Sequence, residues 1–341
     1  MSDSYSNPVL DIKGLRTSFY TDDGEIPAVD HIDIQIHKGE ILGIVGESGC
    51  GKSVTSLSVM GLIPSPPGRI IGGNILFNGE NLLDASEKRM RSIRGNEIAM
   101  IFQEPMTSLN PLFKIGNQLI EALRTHRKWS HATYKERAIE MLNLVGLPRA
   151  EELLHAYPHQ LSGGMRQRVM IAMAMICDPK LLIADEPTTA LDVTIQKQIL
   201  RLMRKLNETM ETSIMLITHD LGVVAEVCDR IAVMYAGKIV EQSDAKTIFA
   251  DPKHPYTKGL LASVPDIRSK TNRLFSIPGN VPKPGSIKRG CRFAERCQYA
   301  MDHCFEQDPD LYSFNNGKHQ VRCFLYEKEG ESAHESTITS S

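Results

Sequence analysis

The sequence predicts an α/β fold with a parallel sheet, because short apolar strands alternate with helical segments along most of the chain. Three strands carry this prediction: Glu40–Val45, Leu181–Ala184 and Ser213–Thr218. They are short and mostly apolar, which is typical of strands covered on both faces. A glycine-rich segment follows the first strand and acidic residues follow the second. We therefore expect the functional groups at the carboxyl ends of the strands.

The remaining elements follow from hydrophobic periodicity and from turn residues. Leu10–Tyr20 and His31–His37 alternate apolar and polar side chains, as half-buried strands do, and residues 22–24 predict a turn between them. In chain order, the sequence further predicts a helix over Ser53–Met60, a strand over Ile98–Gln103, helical segments over Ile115–Leu144, Arg166–Cys177 and Thr194–Glu208, and a hairpin of Ile231–Met234 and Ile239–Val240 around Ala236 and Gly237.

Size, charge and hydropathy exclude several classes of protein. The 341 residues are enough for one large domain and a smaller one, and the formal net charge of −2 gives no overall field that would favour nucleic acid. The longest wholly apolar run, Val169–Cys177, has nine residues, whereas a membrane span needs about 18. Residues 1–7 are polar and lack a signal-peptide pattern. We expect a cytoplasmic chain with reduced cysteines and no nucleic-acid partner.

The glycine-rich segment Gly46–Ser53 reads GESGCGKS and matches the phosphate-binding pattern G-x-x-x-x-G-K-S. A strand before it and a helix after it supply the context that such a loop requires. Its backbone N–H groups and the positive end of the helix dipole favour phosphate. Lys52 should reach the β- and γ-phosphates and Ser53 should ligate Mg²⁺. The residues expected to bind ATP in this loop are Gly46, Ser48, Gly49, Cys50, Gly51, Lys52, Ser53 and Val54.

A second group of candidate residues lies at the ends of other strands. The strand that starts at Leu181 ends in Asp185 and Glu186; an aspartate at such a place holds Mg²⁺ in phosphate-loop enzymes, and Glu186 is placed to polarise a water. Gln103 could reach the metal or the water through its amide. His219 could contact the γ-phosphate. Both end their own strands, where ligands bind open α/β sheets.

The turn Leu161–Gly164 reads LSGG and lies before a helix, with its serine 23 residues before Asp185. A Ser-Gly-Gly turn at a helix start offers a second set of backbone N–H groups to phosphate. One nucleotide rarely needs two such sets in one chain. Two copies facing each other would use them, because each copy can complete the site of the other. The sequence therefore predicts a clamp driven by ATP.

The combination of motifs resembles the nucleotide-binding subunit of an ABC transporter. The motifs that carry the resemblance are, in order, Gly46–Ser53, Gln103, Leu161–Gln167 (LSGGMRQ), Leu181–Glu186, Ala190-Leu191-Asp192 and His219. The resemblance covers roughly residues 8–265. It implies an α/β P-loop NTPase with a RecA-like core, an N-terminal antiparallel β subdomain and a helical signature subdomain at about residues 104–178, followed by a small Cys-rich C-terminal extension.

This resemblance also implies a role for each motif residue. Glu186 would be the catalytic base, with His219 and Gln103 assisting. Mg²⁺ would be held by Ser53, Gln103 and Asp185. The remaining implied roles are contact with the partner's ATP by Ser162, Gly163, Gly164 and Gln167 of the signature, a D-loop position at Asp192, and stacking on adenine by Phe19, with Tyr20 as the alternative.

Three further segments, Met106–Pro111, Asp178–Val193 and His254–Thr257, resemble the peptide-importer branch of this family. That branch implies ATP hydrolysis coupled to di- and oligopeptide import, at the cytoplasmic face of the membrane. The implied partners are a second ATPase subunit, either a sibling or a copy, two transmembrane permease subunits and an extracellular substrate-binding protein. Import of nickel, glutathione or another small solute is the alternative. A soluble ABC ATPase outside transport and a redox or metal sensor are remoter ones.

Four of the seven cysteines, Cys291, Cys297, Cys304 and Cys323, cluster in a Pro- and Cys-rich extension expected at 266–326. Four reduced thiols in a short loop-rich segment suggest zinc or an iron–sulfur cluster, and their spacing does not decide between the two. The segment resembles the C-terminal extension of peptide-importer ATPases, which implies a [4Fe–4S] cluster; zinc and metal-free thiols remain alternatives. We interpret the other three cysteines as loop or core residues and expect 327–341 to be disordered.

Overall fold

The computed structural model of the protein describes residues 7–103, 108–189, 191–264, 276–329 and 331–332. The chain forms two compact units. Unit 1 contains the described residues of Met1–Leu10, Ile36–Ile41 and Leu76–Ile217, and unit 2 contains those of Asp11–Gln35, Leu42–Ile75 and Thr218–Ser341. The chain passes between the units several times, so each unit combines segments that are distant in sequence.

The centre of unit 1 is a parallel sheet, as the sequence predicts. Its strands are β6 (Ile98–Ile101), β7 (Leu181–Asp185) and β8 (Ser213–Thr218), in the order β8-β7-β6. Ile98 lies opposite Leu181, and Leu181 lies opposite Ser213. Every residue of β7 and β8 is buried, which explains why these strands read as continuous apolar runs. The carboxyl ends of the three strands lie at one edge of the sheet.

Helices make up most of the rest of unit 1. They are α2 (Glu87–Ile93), α3 (Ile115–His126), α4 (His131–Leu144), α5 (Ala150–Leu153), α6 (Gly163–Met175) and α7 (Val193–Met210), and the short strand β5 (Glu80–Asn81) precedes them. The segment read as one helical run at 115–144 is two helices. The chain is extended at Arg127, and Ser130 caps α4 by accepting a hydrogen bond from the N–H of Thr133. No helix among the described residues is both long and apolar enough to cross a membrane.

Unit 2 holds most of an N-terminal sheet in which β1 (Leu10–Thr21) lies between β2 (Gly24–Ile36) and β4 (Gly68–Phe77). A two-residue turn joins β1 to β2 at the predicted place, so these two strands run antiparallel. The second strand begins several residues earlier than predicted. The sequence analysis did not predict β4.

The second sheet of unit 2 has the strand order β13-β11-β12-β10-β9-β3. Its strands are β3 (Ile41–Val45), β9 (Arg230–Tyr235), β10 (Lys238–Asp244), β11 (Tyr312–Phe314), β12 (His319–Val321) and β13 (Glu331–Ser332); the helices are α1 (Lys52–Val59), α8 (Leu221–Val227), α9 (Ala245–Ala250) and α10 (Pro255–Ala262). The predicted hairpin of β9 and β10 is confirmed. Pairing of β12 with β10 attaches the Cys-rich extension to this sheet.

A buried hydrogen bond between two side chains supports that attachment. The Nε2 atom of His319 on β12 lies 2.7 Å from the Oε1 atom of Glu241 on β10. The same carboxylate accepts hydrogen bonds from the N–H groups of Lys253 and His254 at 2.7 and 2.9 Å. Burial alone would raise the pKa of Glu241, but these hydrogen bonds outweigh it and hold the pKa below its ordinary value of 4.5. The contribution to stability is therefore present above pH 4.5 and is lost as the pH falls through the lowered pKa.

We expect His319→Ala to lower the free energy of unfolding of the protein by about 1.5–3 kcal/mol, because it removes a hydrogen-bond partner from a buried carboxylate. Gln320→Ala removes a neighbouring side chain on the same strand, whose amide bonds the amide of Gln242. That control should cost about 1 kcal/mol. Urea unfolding of both variants measures the difference, and equal losses would show that Glu241 does not depend on His319.

Candidate functional site

The glycine-rich segment forms a loop between β3 and α1, as predicted, and its backbone is closely packed. Gly51 caps α1 with φ of 108°, a left-handed conformation that side chains rarely adopt. A Cβ atom at Gly51 would overlap the carbonyl oxygen of Ala28 on β2. The N–H of Gly237, in the β9–β10 turn, donates to the carbonyl of Cys50 at 2.9 Å. The loop therefore has a shape that its neighbours in unit 2 impose.

Lys52 is folded against this loop. Its ammonium donates to the carbonyl oxygens of Gly46 and Glu47 at 2.7 and 3.0 Å, and the residue is only 5% exposed. Ser48 and Gly49 are exposed at the tip of the loop, while Ser53 and Val54 are half-buried in the first turn of α1. The loop thus combines a held cation, exposed backbone and a hydroxyl at a helix start, a combination suited to phosphate.

Cys50 is the buried member of the loop. Burial raises the pKa of its thiol, and the nearby ammonium of Lys52 opposes that shift without cancelling it. The thiol is therefore protonated at neutral pH and reacts slowly with thiol reagents. We interpret it as a packing residue of the loop.

In unit 1, β7 ends at Asp185, which is buried, and the chain turns sharply at the next residue. Glu186 has φ of 47°, an uncommon backbone conformation for a residue with a side chain. Its N–H donates to the carbonyl of Ile217 on β8 at 2.9 Å, so the strained turn is held by the sheet. Strain of this kind concentrates at functional sites, where it aims a side chain.

The carboxylate of Glu186 accepts hydrogen bonds from two neighbours. The Nε2 atom of Gln103, two residues after β6, donates at 3.4 Å, and the hydroxyl of Thr189 donates at 3.1 Å. The structure thus brings together Gln103 and Glu186, both predicted as site residues. It adds Thr189, which the sequence analysis missed. The available signal was a hydroxyl residue three positions after the acid.

The signature turn opens α6 three residues earlier than the predicted helix start. The hydroxyl of Ser162 caps this helix by accepting from the N–H of Met165 at 3.3 Å, and the helix begins at Gly163. Farther along α6, the buried amide of Gln167 donates to the carbonyl of Pro187, the residue that follows Glu186. The signature helix is therefore tied directly to the turn that carries the acid.

The other predicted site residues occupy the ends of elements or the N-terminal sheet. Asp192 caps α7 through a bond from the N–H of Ile195 at 2.9 Å, and His219 is exposed directly after β8. Phe19 is half-buried beside Gly68, whereas the ring of Tyr20 is 45% exposed and lies 5.9 Å from the Cζ atom of Arg69. Residues 104–107, 190, 265–275, 330 and 333–341, which include parts of predicted motifs and of the tail, lie outside the described residues.

We call the described residues 276–326 of the Cys-rich extension the cysteine lobe. Its four clustered cysteines line one small pocket of unit 2, the cysteine lobe pocket. Its lining is Cys291, Cys297, Cys304 and Cys323, with Phe293, Ala294, Tyr299, Met301, Phe324, Leu325, His254 and Pro255. The N–H groups of Tyr299 and Met301 lie 3.4 Å from the sulfurs of Cys297 and Cys304. The structure thus places the four cysteines of the predicted cluster around one pocket.

Burial raises the pKa of three of the thiols in this pocket. Burial raises the pKa of Cys291 to about 12 and that of Cys323 to about 11, and the other thiols of the pocket add to both shifts. Burial also raises the pKa of Cys297. Within the described part of the chain, no group of three or more His, Cys, Asp or Glu side chains is placed to hold a metal ion.

One contact in unit 2 was not foreseen from the sequence. The guanidinium of Arg296, next to Cys297 in the lobe, binds the carboxylate of Glu47 in the phosphate loop. These two residues are 249 positions apart in the sequence. No local sequence pattern predicts such a pair. The one available signal was that Arg296 lies next to Cys297, which the sequence analysis had named as a candidate ligand.

Comparison with known proteins identifies the family. The sequence family described as "ABC transporter" matches residues 29–189, and the one described as "Oligopeptide/dipeptide transporter, C-terminal region" matches residues 240–304. The chain is 53% identical over 322 residues to the oligopeptide transport ATP-binding protein AppD of Bacillus subtilis, covering 94% of this chain and 98% of AppD. It is 54% identical to OppD of the same organism, covering 93% and 88% of the two chains.

The fold is similarly matched among solved structures. The dimeric structure of MJ0796, a bacterial ABC transporter cassette, superimposes with a TM-score of 0.61 at 28% identity, covering 69% of this chain and 98% of that one. The α/β ATPase fold predicted from the motifs is thereby confirmed, together with its antiparallel β subdomain. The chain belongs to the ABC transporter ATP-binding proteins, in the oligopeptide and dipeptide transporter family.

Proposed function

We propose that this chain hydrolyses ATP to drive the import of di- and oligopeptides, as the nucleotide-binding subunit of an ABC transporter. The observation that carries the hydrolytic role is the carboxylate of Glu186, set on a strained turn and held by Gln103 and Thr189. The peptide substrate is supported by the relatives, whose names specify oligopeptide transport.

ATP binding is assigned to the loop of unit 2. The ammonium of Lys52, held by two loop carbonyls, is positioned to exchange these acceptors for phosphate oxygens. The exposed backbone at Ser48 and Gly49 and the start of α1 supply further donors. Phe19 is our choice for stacking on adenine, and Tyr20, whose ring is more exposed, is the alternative.

Mg²⁺ is assigned to Ser53, Gln103 and Asp185. Their hydroxyl, amide and carboxylate oxygens are the hard ligands that this ion takes in proteins, so the donor set fits it. When bound with ATP, Mg²⁺ neutralises charge on the phosphates. The sheet orients one of these ligands, since Asp185 is fixed within β7 by its pairing with Ile217 of β8.

Hydrolysis is assigned to Glu186 as general base. An ionised carboxylate can accept the proton of an attacking water, and donors on Gln103 and Thr189 fix its orientation beforehand. His219, exposed after β8, would steady the γ-phosphate. The anchoring of the Glu186 turn by the sheet means that little reorganisation is needed during the reaction.

The signature residues are assigned to the ATP of a second ATPase subunit. Ser162, Gly163 and Gly164 start a 13-residue helix, whose first N–H groups suit a phosphate brought by a partner. Gln167 connects the signature helix to the turn after Glu186. Binding of the partner's ATP at the signature can therefore change the position of the general base. Asp192, at the start of α7, would face the partner. The matched MJ0796 cassette is a dimer.

The other partners are inferred from the transporter role. Two permease subunits would provide the membrane path, an extracellular binding protein would deliver the peptide, and the chain would sit at the cytoplasmic face of the membrane. We keep the proposed boundaries of an ATPase domain at 8–265, a helical subdomain at about 104–178, an extension at 266–326 and a tail at 327–341. Within that tail, Glu331–Ser332 pair with β11.

We further propose that Cys291, Cys297, Cys304 and Cys323 hold a [4Fe–4S] cluster. Four thiolates are the usual ligands of such a cluster, and N–H groups aimed at the sulfurs of Cys297 and Cys304 are a common accompaniment. The four thiols line one pocket of unit 2, which supports a shared site for them.

We expect Glu186→Gln to bind ATP with normal affinity and to lose about 10²–10⁴-fold in turnover, since the amide cannot accept the proton. Glu208→Gln makes the same exchange at an exposed ion pair on α7 and should behave as wild type. Steady-state ATPase assays and binding of a fluorescent ATP analogue measure both effects. Uptake of labelled di- and oligopeptides, in cells whose transporter carries either variant, tests the coupling. Near-normal turnover in Glu186→Gln would remove the base from its assigned role.

The full chain purified without oxygen should contain about four irons and four sulfides and bleach with dithionite, as a [4Fe–4S] centre does. Cys297→Ser should lose most of this content. Cys228→Ser changes a buried cysteine of the same unit outside the pocket lining and should retain it. Elemental analysis and the visible spectrum give the result. One zinc without sulfide, or no metal, would contradict the cluster while leaving the ATPase assignment intact.

A further inference from the structure

The ion pair between Arg296 and Glu47 joins the cysteine lobe to the phosphate loop within unit 2. Two guanidinium nitrogens of Arg296 donate to the two carboxylate oxygens of Glu47, at 2.7 and 3.1 Å. The Arg296 side chain is 5% exposed and that of Glu47 is 27% exposed, so the pair is largely shielded from water. A two-point contact of this kind fixes orientation as well as distance.

Glu47 is the second residue of the loop and is held on its backbone too. Its N–H donates to the hydroxyl of Tyr256 at 2.9 Å, and its carbonyl accepts from the ammonium of Lys52 at 3.0 Å. The residue therefore has contacts through its side chain, its N–H and its carbonyl. Any shift of the Glu47 side chain moves the backbone that positions Lys52.

Arg296 is equally fixed at its other end. Its Nε atom donates to the carbonyl of Pro278 at 2.9 Å, and the adjacent residue is Cys297 of the lobe pocket. The guanidinium lies 5.8 Å from the ring centre of Tyr235 and 5.9 Å from that of Phe293. Its position is set by the fold of the lobe, so it can hold Glu47 only where that fold is intact.

Aromatic packing also connects the cysteine lobe pocket to the phosphate loop. Phe293 lines the cysteine lobe pocket, and its ring centre lies 5.3 Å from that of Tyr235 and 5.4 Å from that of Tyr256. Tyr256 is the residue that binds the N–H of Glu47. The pocket and the loop are thus connected by continuous packing and by hydrogen bonds, the physical requirement for energetic coupling.

We propose that Arg296 is a positioning residue for the phosphate loop, so that the ATP affinity of the loop depends on the folded state of the cysteine lobe. This inference depends on one part of the proposed function, namely that the phosphate loop binds ATP. Coupling of this kind is reciprocal: if the ordered lobe raises the affinity for ATP, bound ATP must order the lobe by the same factor.

The test compares ATP binding by the full chain and five variants, using a fluorescent ATP analogue with Mg²⁺. Arg296→Gln and Glu47→Gln should each raise the dissociation constant about tenfold, a typical coupling between linked sites. The double variant should be no worse than either, because both remove the same contact. Arg296→Lys should be intermediate, since lysine keeps the charge but not the two-point contact. The KM for ATP should rise while kcat at saturating ATP is kept.

The fifth variant, Arg292→Gln, is the matched control. Arg292 is a lobe arginine whose guanidinium binds Asp30 on β2 at 2.7 Å, rather than a residue of the phosphate loop. It should leave ATP affinity unchanged. An equal loss of affinity in Arg292→Gln and Arg296→Gln would overturn the proposal, because general loosening of the lobe would then explain the effect.

Hydrogen exchange gives a readout that does not depend on turnover. Binding of a non-hydrolysable ATP analogue should slow exchange of the lobe segment 289–306 in the wild type and not in Arg296→Gln. Wild-type affinity in Arg296→Gln, while Lys52→Ala loses binding, would overturn the proposal and leave the phosphate loop as the ATP site. Failure of the wild type itself to bind ATP would refute the proposed function and this inference with it.

Discussion

The close approach of the phosphate loop to two neighbouring strands is the constraint on which the rest of unit 2 depends. A Cβ atom at Gly46 would overlap the carbonyl oxygen of Met234 on β9, and one at Gly51 would overlap that of Ala28 on β2. No side chain fits at either place. The loop backbone is therefore packed directly against both strands, and its shape is set before any phosphate arrives. The ammonium of Lys52 is held within that shape.

Unit 1 applies a different constraint to its acidic turn. Glu186 adopts a left-handed backbone after a buried strand, and the turn is bound on three sides: by Ile217 of β8, by Gln103 after β6, and by Gln167 of the signature helix at the next residue. Gln103 and Gln167 belong to separate motifs of the family resemblance, and β8 leads directly to a third motif residue, His219. The turn that carries Glu186 is therefore joined to the signature helix by a hydrogen bond from Gln167.

The features that the sequence predicted well are those with local causes. The phosphate loop, the Ser-Gly-Gly turn at a helix start and the apolar strands depend on residues adjacent in the chain, so their patterns can be recognised in the sequence. The break between α3 and α4 was missed because helical periodicity continues through it, although residues 127–130 are not helical and the backbone is extended at Arg127 and Ser130. The pair of Arg296 and Glu47 could not be predicted. It depends on two segments 249 residues apart that meet only through tertiary packing.

The cysteine lobe is small and depends on its surroundings for stability. Its apolar cluster consists of Tyr312, Val321 and Cys323 with two partly buried rings beside them, too little for independent folding. The lobe gains stability from pairing with β10 and from the hydrogen bond of His319 to Glu241. Because β10 forms a hairpin with β9, and β9 carries the carbonyl that confines Gly46, the lobe and the loop are supported by the same two strands. Unfolding of the lobe would therefore also weaken the strands that support the phosphate loop.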